Sequence, residues 1–498
     1  MNPTKPNVIP MPIAEANASW DGAEHTPSLP PSPSLLREAG AAAPLRPPAR
    51  PRRRAPLFIA GGVVLCAAAI AALWFARRPP ATPVPTATVS PATGAPLAPA
   101  PPSVRGVTAD TVTLGMSAAF SGAAGALGTR MKLGLDTAFA QVNNAGGVAG
   151  RTIKLIALDD AYDGKRARAN VQELLEQRNA FALVGNVGTP TTREALPYVR
   201  EKKTLFFGAL TGAKVTRPDP PDDLVWNFRP GYEAEIRSIV RYLVDDGVSH
   251  AGSVRHVGDG GLVVFAQSDS YGDDGFAAVQ DALRRLNRRE DVLRVGYERG
   301  TVDVSDAIAK VLRHHAATAR TGPNEVSRLH TVDAIVMVGT SGATAAFVQQ
   351  LRDHHLDAEL VSVSFVDAVS LADKLREVGA RYCPGIVVTQ VVPHPASGAQ
   401  GVRRYRDALA RYHPEQRPDP ISLEGYLAGQ LFAEALRRAG RELTTEQLVE
   451  ALRGIEGLDL GIGEVLGFGP ASHDASRKVW ATALDERCAL QPFAGMDR

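Results

Sequence analysis

From Val112 onward the chain alternates between short apolar runs and longer stretches with helical spacing. "VTLGMSAAF" (112–120) is an apolar run that ends in a turn, which predicts a strand. In "ALGTRMKLGLDTAFAQVNNAGG" (126–147), Met131, Leu135, Ala138, Phe139 and Val142 share one helical face, and Gly146–Gly147 supply the stop. The same reasoning predicts strand 151–160, helix 165–177, strand 181–187, helix 192–203 and strand 204–210. After about Asn227 the alternation restarts, with helices at 233–246, 275–286, 304–315 and 344–355 and strands at 261–267, 292–298, 333–339 and 359–365. Strands alternating with helices predict parallel sheets covered on both faces. Two such series predict two α/β units, each near the usual domain size. Ligands of such sheets bind beyond the carboxyl ends of the strands, and with two lobes the cleft between them is the natural site.

The pattern before Val107 is different. Residues 1–56 are rich in Pro, Ala and Ser with little periodicity, so a disordered, Pro-rich cytoplasmic tail is expected. Leu57 to Ala76 is an uncharged apolar run of about 20 residues, the length of a membrane-spanning helix. Trp74 and Phe75 stand at its far end, and arginines flank it, with Arg46, Arg50, Arg52, Arg53 and Arg54 before it and Arg77 and Arg78 after. The positive-inside rule keeps the N-terminus in the cytoplasm and sends the rest out. The run starts too late and is too long for a cleaved signal peptide, and Leu65 before Cys66 is too large for a lipobox. An uncleaved signal anchor is expected in the inner membrane, followed by a Pro-rich linker over 77–106. Lobe 1 is then expected from 107–228 and 391–462, and lobe 2 from 229–390 and 463–498.

Composition narrows the function. A formal net charge of +2 gives no case for a nucleic-acid partner. Three cysteines are too few for a disulfide framework; Cys383 and Cys488 could pair in an oxidising compartment, but two separate small apolar residues are expected. The stretch "ALVGNVGTPTTREALPYV" (182–199) runs from strand through a Gly- and Thr-rich turn into a helix, where α/β proteins hold anions. No Lys follows Gly188, so this is no phosphate loop. "GAAGALG" (122–128) lacks dinucleotide spacing, and "GTSG" (339–342) is not a nucleophile elbow. His314–His315 and His354–His355 are adjacent pairs that diverge on a helix and cannot chelate as an i, i+4 pair would. Asp159, Asp160 and Asp163 could hold a cation or do acid/base work, but are expected to cap a strand end and the next helix. No catalytic residue, metal or cofactor is expected.

The order and wording of these segments resemble the type I periplasmic binding proteins, specifically the leucine/isoleucine/valine-binding family of ABC-transporter receptors. "LGMSAAFSGAAGALG", "AQVNNAGGVAGRTIKLIALDDAYD", "LVGNVGTPTTREALPYVREKKTLFFGALTGAKVT", "AQSDSYGDDGFAAVQDAL" and "CPGIVVTQVVPHP" carry the likeness, from about Val107 to the C-terminus. It implies two doubly wound parallel-sheet lobes, joined by a three-stranded hinge and closing on a small solute. It also implies that Gly188 and Thr189 at the helix start, with Ala209, Leu210 and Thr211 in the next loop, hold a ligand carboxylate. Tyr271 would cover the ligand from lobe 2. Thr189 at the N-cap and Pro190 in the first turn suit that role, although simple capping explains them too.

The departures matter as much. Ser364 stands where amino-acid binders place an acid for the ligand ammonium, and Ser341 where another Tyr is common. Leu127 replaces an aromatic residue. Tyr162 and Gly188 occupy the two positions of a first-lobe disulfide. These changes count against a standard branched-chain amino acid; a carboxylate without an α-ammonium, an amide or another polar metabolite fits as well. Asp367, three residues past Ser364, could reach the cleft, although a solvated helix start is expected. The expected function is membrane-anchored, extracytoplasmic solute binding for ABC-type uptake, with permease subunits as partners. The alternative is a ligand-sensing ectodomain coupled to a signalling or cell-envelope partner.

Overall fold

The structure, a computed structural model, describes residues 104–244, 261–288, 292–318 and 332–496. The expected tail, membrane segment and most of the linker lie outside these residues. Among the described residues, no helix is long and apolar enough to cross a membrane. The end of the expected linker belongs to the fold. Arg105 donates from Nε to the Ala180 carbonyl (2.8 Å) and from Nη2 to Thr204 Oγ1 (2.6 Å).

The chain forms a two-lobed α/β body. The first lobe opens with β1 (Thr111–Ala118), α1 (Gly125–Asn144), β2 (Thr152–Asp159), α2 (Gly164–Glu176), β3 (Ala182–Val184), α3 (Thr189–Glu201), β4 (Phe206–Phe207) and β5 (Val225–Trp226). Its sheet is parallel, in the order β2-β1-β3-β4-β5. The second lobe contains α4 (Tyr232–Val244), β6 (Leu262–Gln267), α5 (Ser270–Arg285), β7 (Leu293–Tyr297), α6 (Ser305–Thr318), β8 (Ala334–Val338), α7 (Ser341–Asp353), β9 (Glu359–Ser362), α8 (Ala368–Val378) and β10 (Ile386–Gln390). All of β6, β8 and β10 is buried, as parallel strands covered on both faces must be.

The chain returns to the first lobe with α9 (Gln400–Tyr412), α10 (Pro420–Ala439), α11 (Thr445–Arg453) and the hairpin β11 (Leu458–Asp459) and β12 (Val465–Leu466). It ends with β13 (Trp480–Leu484) and β14 (Leu490–Pro492), which complete a seven-stranded sheet ordered β14-β13-β10-β9-β8-β6-β7. β13 runs antiparallel to β10. Residues 462 and 463 lie between the two strands of the β11–β12 hairpin. Asn227 pairs with Asp474, and the Ala475 and Ser476 amides donate to Asn227 and Phe228 carbonyls. Two crossovers therefore lie side by side as the hinge, and His473 stacks on Trp226 with ring centroids 3.7 Å apart.

α10 docks on α1 with almost no space between backbones. A Cβ on Gly134 would meet the Ser422 carbonyl oxygen at 2.1 Å, and one on Gly425 would meet that of Met131 at 2.4 Å. Only glycine permits this approach. In the second lobe, Cys383 and Cys488 form a disulfide with their Cα atoms 5.2 Å apart. The expectation of two separate cysteines is therefore corrected. Pairing of β13 with β10 brings together residues 105 positions apart, which no local pattern announces.

Candidate functional site

The first-lobe half of the cleft is built on backbone stitching between two loops. The Leu210 amide donates to the Asn186 carbonyl (2.8 Å), and the Gly188 amide to the Leu210 carbonyl (3.2 Å). Both backbone groups of Leu210 are thus used and its side chain is buried, so it shapes the loop. This register carries Thr211 to Thr189, whose hydroxyls lie 2.8 Å apart. The N-cap falls one residue earlier than expected. Gly188 is the cap, at φ +102°, and Thr189 is the first helical residue of α3. No side chain caps α3, and Pro190 has no amide to satisfy. Thr189 is therefore free of capping duty.

Gly188 and Tyr162 are in contact, since a Cβ on Gly188 would meet the Tyr162 ring at 2.4 Å. Ring-on-backbone packing occupies the space between these positions. The three aspartates nearby do local work. Asp163 accepts from the Arg166 amide at the start of α2, Asp159 from the Phe120 and Ala161 amides, and Asp160 from the Ser117 hydroxyl and Tyr162 amide. Burial pushes Asp160 up to about 6, partly offset by those hydrogen bonds.

Second-lobe and hinge residues complete the cluster. Tyr232, at the start of α4, places its hydroxyl 3.5 Å from Thr211 Oγ1. Its ring centroid lies 5.4 Å from that of Tyr271, which in turn lies 4.8 Å from Phe365. Phe365 reaches across to Tyr162 at 6.2 Å. Aromatic groups from both lobes thus meet at the carboxyl ends of the two sheets. Tyr271 is fully buried, and its hydroxyl has no hydrogen-bond partner among the described residues. Burial raises it well above the usual tyrosine range.

Ser364 touches two charged residues that the sequence did not single out. Arg229 donates from Nη2 to Ser364 Oγ (2.7 Å), and the Ser364 amide donates to Glu235 Oε2 (2.9 Å). Thr389 donates to the same oxygen at 2.5 Å. Arg229 also forms a two-pronged pair with Glu424 of α10, at 2.9 and 3.1 Å. Burial pushes Glu424 up to about 7 against the pull of Arg229. Burial opposes the Arg229 charge, but Glu424 and Glu235 outweigh it and raise its pKa.

Glu235 left a sequence signal. It shares a helical face with Ile239 and Tyr242, an acid in an apolar stripe. Arg229 and Glu424 were illegible, because only the hinge brings α10 to residue 229.

Ser341 is the first residue of α7 and is buried, in the neighbourhood of Thr340 and Tyr297. The Thr340 amide donates to the Tyr297 hydroxyl (2.8 Å), which donates to Gln267 (3.1 Å). Ser341 makes none of the hydrogen bonds that join Thr189, Thr211 and Tyr232. Asp367 is 2% exposed rather than solvated. It caps α8 through the Ser370 amide and pairs with Arg130 of α1, across the lobes.

Two lobes of this topology, with a polar and aromatic cluster between them, define a hinged binding protein. The periplasmic binding protein family model matches residues 111–489, and the chain belongs to that family, in its type I branch. Among solved structures, a possible leucine/isoleucine/valine-binding protein from Rhodopirellula baltica is 34% identical, with a TM-score of 0.69 over 78% of this chain and 97% of that one. A branched-chain amino acid ABC transporter protein from Thermus thermophilus with bound valine shares the fold at 16% identity and a TM-score of 0.63, covering 77% and 95% of the chains. The "Amino acid binding protein" of Pseudomonas aeruginosa is 25% identical over 66% of this chain and 79% of its own length. The family consists of solute-binding proteins, and its members' placement fits an extracytoplasmic domain.

Proposed function

We propose that this chain is a membrane-anchored, extracytoplasmic solute-binding protein that captures a small polar ligand, carboxylate- or amino-acid-like, for ABC-type uptake. The observation that carries this reading is the Thr189–Thr211 pair at the uncapped start of α3. Helix amides and two hydroxyls make a compact anion clamp at the helix's positive end. Gly188 and Ala209 form its backbone walls, and Tyr271 with Phe365 covers it from the second lobe. Closure of the lobes follows from tighter ligand binding to the closed state. The apolar run Leu57–Ala76 with its flanking arginines supports the anchor.

The test is a thermal-shift screen of the full chain against carboxylates, amino acids and amides. At least one class is expected to stabilise it, and Thr189→Ala to weaken that ligand about tenfold or more, the worth of one hydrogen bond to a charged group. No stabilisation by any member of the panel would reject the reading. Copurification from membranes separates uptake from sensing: permease subunits support the first, a kinase or envelope protein the second.

A further inference from the structure

The group that faces a ligand's nitrogen in this cleft need not come from position 364. Glu235 is 0% exposed. Its Oε2 accepts two hydrogen bonds, from the Ser364 amide and the Thr389 hydroxyl, whereas its Oε1 has no partner among the described residues. Arg229 is 1% exposed; its Nη2 donates to Ser364 and Glu424 and its Nε lies 2.9 Å from Glu424 as an ion pair, while among the described residues neither Nε nor Nη1 has a hydrogen-bond partner. The Tyr271 hydroxyl is another buried polar atom without one. These atoms belong to a single neighbourhood. Glu235 acts electrostatically on both Arg229 and Tyr271, and Tyr271 packs on Phe365, the residue after Ser364.

A buried acceptor, a buried donor and a hydroxyl, each unmatched, are costly unless something pairs with them. A role confined to holding the hinge explains Glu235 Oε2, which ties Ser364 to Thr389. It leaves Oε1 unexplained. Arg229 is not that partner in this structure, where its short contacts are to Glu424 and Ser364. What pairs with Oε1 must donate hydrogen bonds, and what pairs with Nη1 must accept them.

We propose that Glu235 is the specificity-determining acid of this cleft, selecting ligands that carry an N–H-bearing group, amide or ammonium, beside an oxygen acceptor. The inference rests on the solute-binding reading above. It moves the counter-charge absent at Ser364 onto α4, where the Ser364 amide holds it in place. Arg229 Nη1 takes the neighbouring oxygen. Thr189 and Thr211 keep their role toward a carboxylate.

The experiment uses the full chain in detergent and titration calorimetry with matched compounds. Leucine is compared with 4-methylpentanoate, alanine with propionate, and glutaramate with glutarate, so ammonium and amide are separate arms. In the wild type, at least one nitrogen-bearing member is expected to bind ten times more tightly than its partner, or better. Glu235→Gln should bring that ratio to within twofold. Ser364→Ala, which retains the amide bond to Glu235, should keep the ratio. Carboxylate binding with no preference for nitrogen, or a preference that survives in Glu235→Gln, overturns this inference and leaves the solute-binding reading standing. If Glu235→Gln does not fold, the wild-type ratios and Ser364→Ala decide: loss of the preference in Ser364→Ala would return the selection to position 364. Failure of every compound to bind the wild type overturns both.

Discussion

At the residue scale, adjacent aspartates at the end of β2 carry opposite shifts. Asp159 is partly buried, but hydrogen bonds from Ser121 and from the Phe120 and Ala161 amides hold it down at about 2. Asp160 is buried and pushed up to about 6 from an ordinary 3.8. The folded protein therefore binds the Asp160 proton more tightly than the unfolded chain does. Its contribution to stability is full below about pH 4 and is lost as pH rises to about 6, by up to roughly 3 kcal/mol. Glu424, raised to about 7, adds a loss of the same sign over a slightly higher range. Asp160→Asn should flatten the Asp160 part alone. Melting temperatures of both proteins between pH 4 and pH 7 test this, and parallel curves would remove Asp160 from the account. Residue identities suggested capping for this aspartate cluster, and capping is what it does. The burial that separates the two pKa values was not legible, because it depends on the β1 strand packed beside Asp160.

At the element scale, periodicity located every helix of the first series and most of the second. The errors are at the ends. Periodicity alone starts α3 at 192 and α5 at 275, whereas they begin at Thr189, one residue before the start implied by Thr189 as N-cap, and at Ser270, because Gly and polar first-turn residues carry no apolar stripe. β4 shrinks to two residues and β5 was not foreseen, since short strands have too few positions to show a period. The disulfide acts at this scale, tying the start of β10 to the turn between β13 and β14. It closes a long loop, for which a chain-entropy account assigns about 3–5 kcal/mol. Cys383→Ala with Cys488→Ala is expected to lower the free energy of urea unfolding by that amount, and a reducing agent to do the same to the wild type only. Equal effects of reductant on both proteins would contradict the assignment.

At the scale of the whole molecule, two groups of contacts oppose opening of the lobes. One is the aromatic and Arg229 cluster beside the hinge. The other is the Arg130–Asp367 pair, with Asp367 nearly buried and Arg130 about one-fifth exposed. The Lys214 amide adds a cross-lobe bond to Asp274 (3.0 Å). Arg130→Gln removes the ion pair and spares the Asp367 cap on α8. A partly exposed pair is worth about 1 kcal/mol, so the ratio of open to closed molecules should rise roughly fivefold. Small-angle scattering of the ligand-free protein should then show a larger radius of gyration, and superimposable curves would deny the pair a role in closure.

The amino-acid pattern by itself determined the alternation of strand and helix, the two α/β series and the Gly-Thr turn before α3. Each is written in neighbours a few positions apart, where periodicity and turn chemistry act. Only the tertiary structure decided which residues surround that turn. Cys383 meets Cys488 because β13 joins β10. Arg229 meets Glu424 because the crossovers lay α10 beside the hinge. Glu235 meets Ser364, across 129 positions, because α4 packs at the end of β9. Such meetings are set by strand order and by which helix covers which sheet face, and a local pattern carries no record of either.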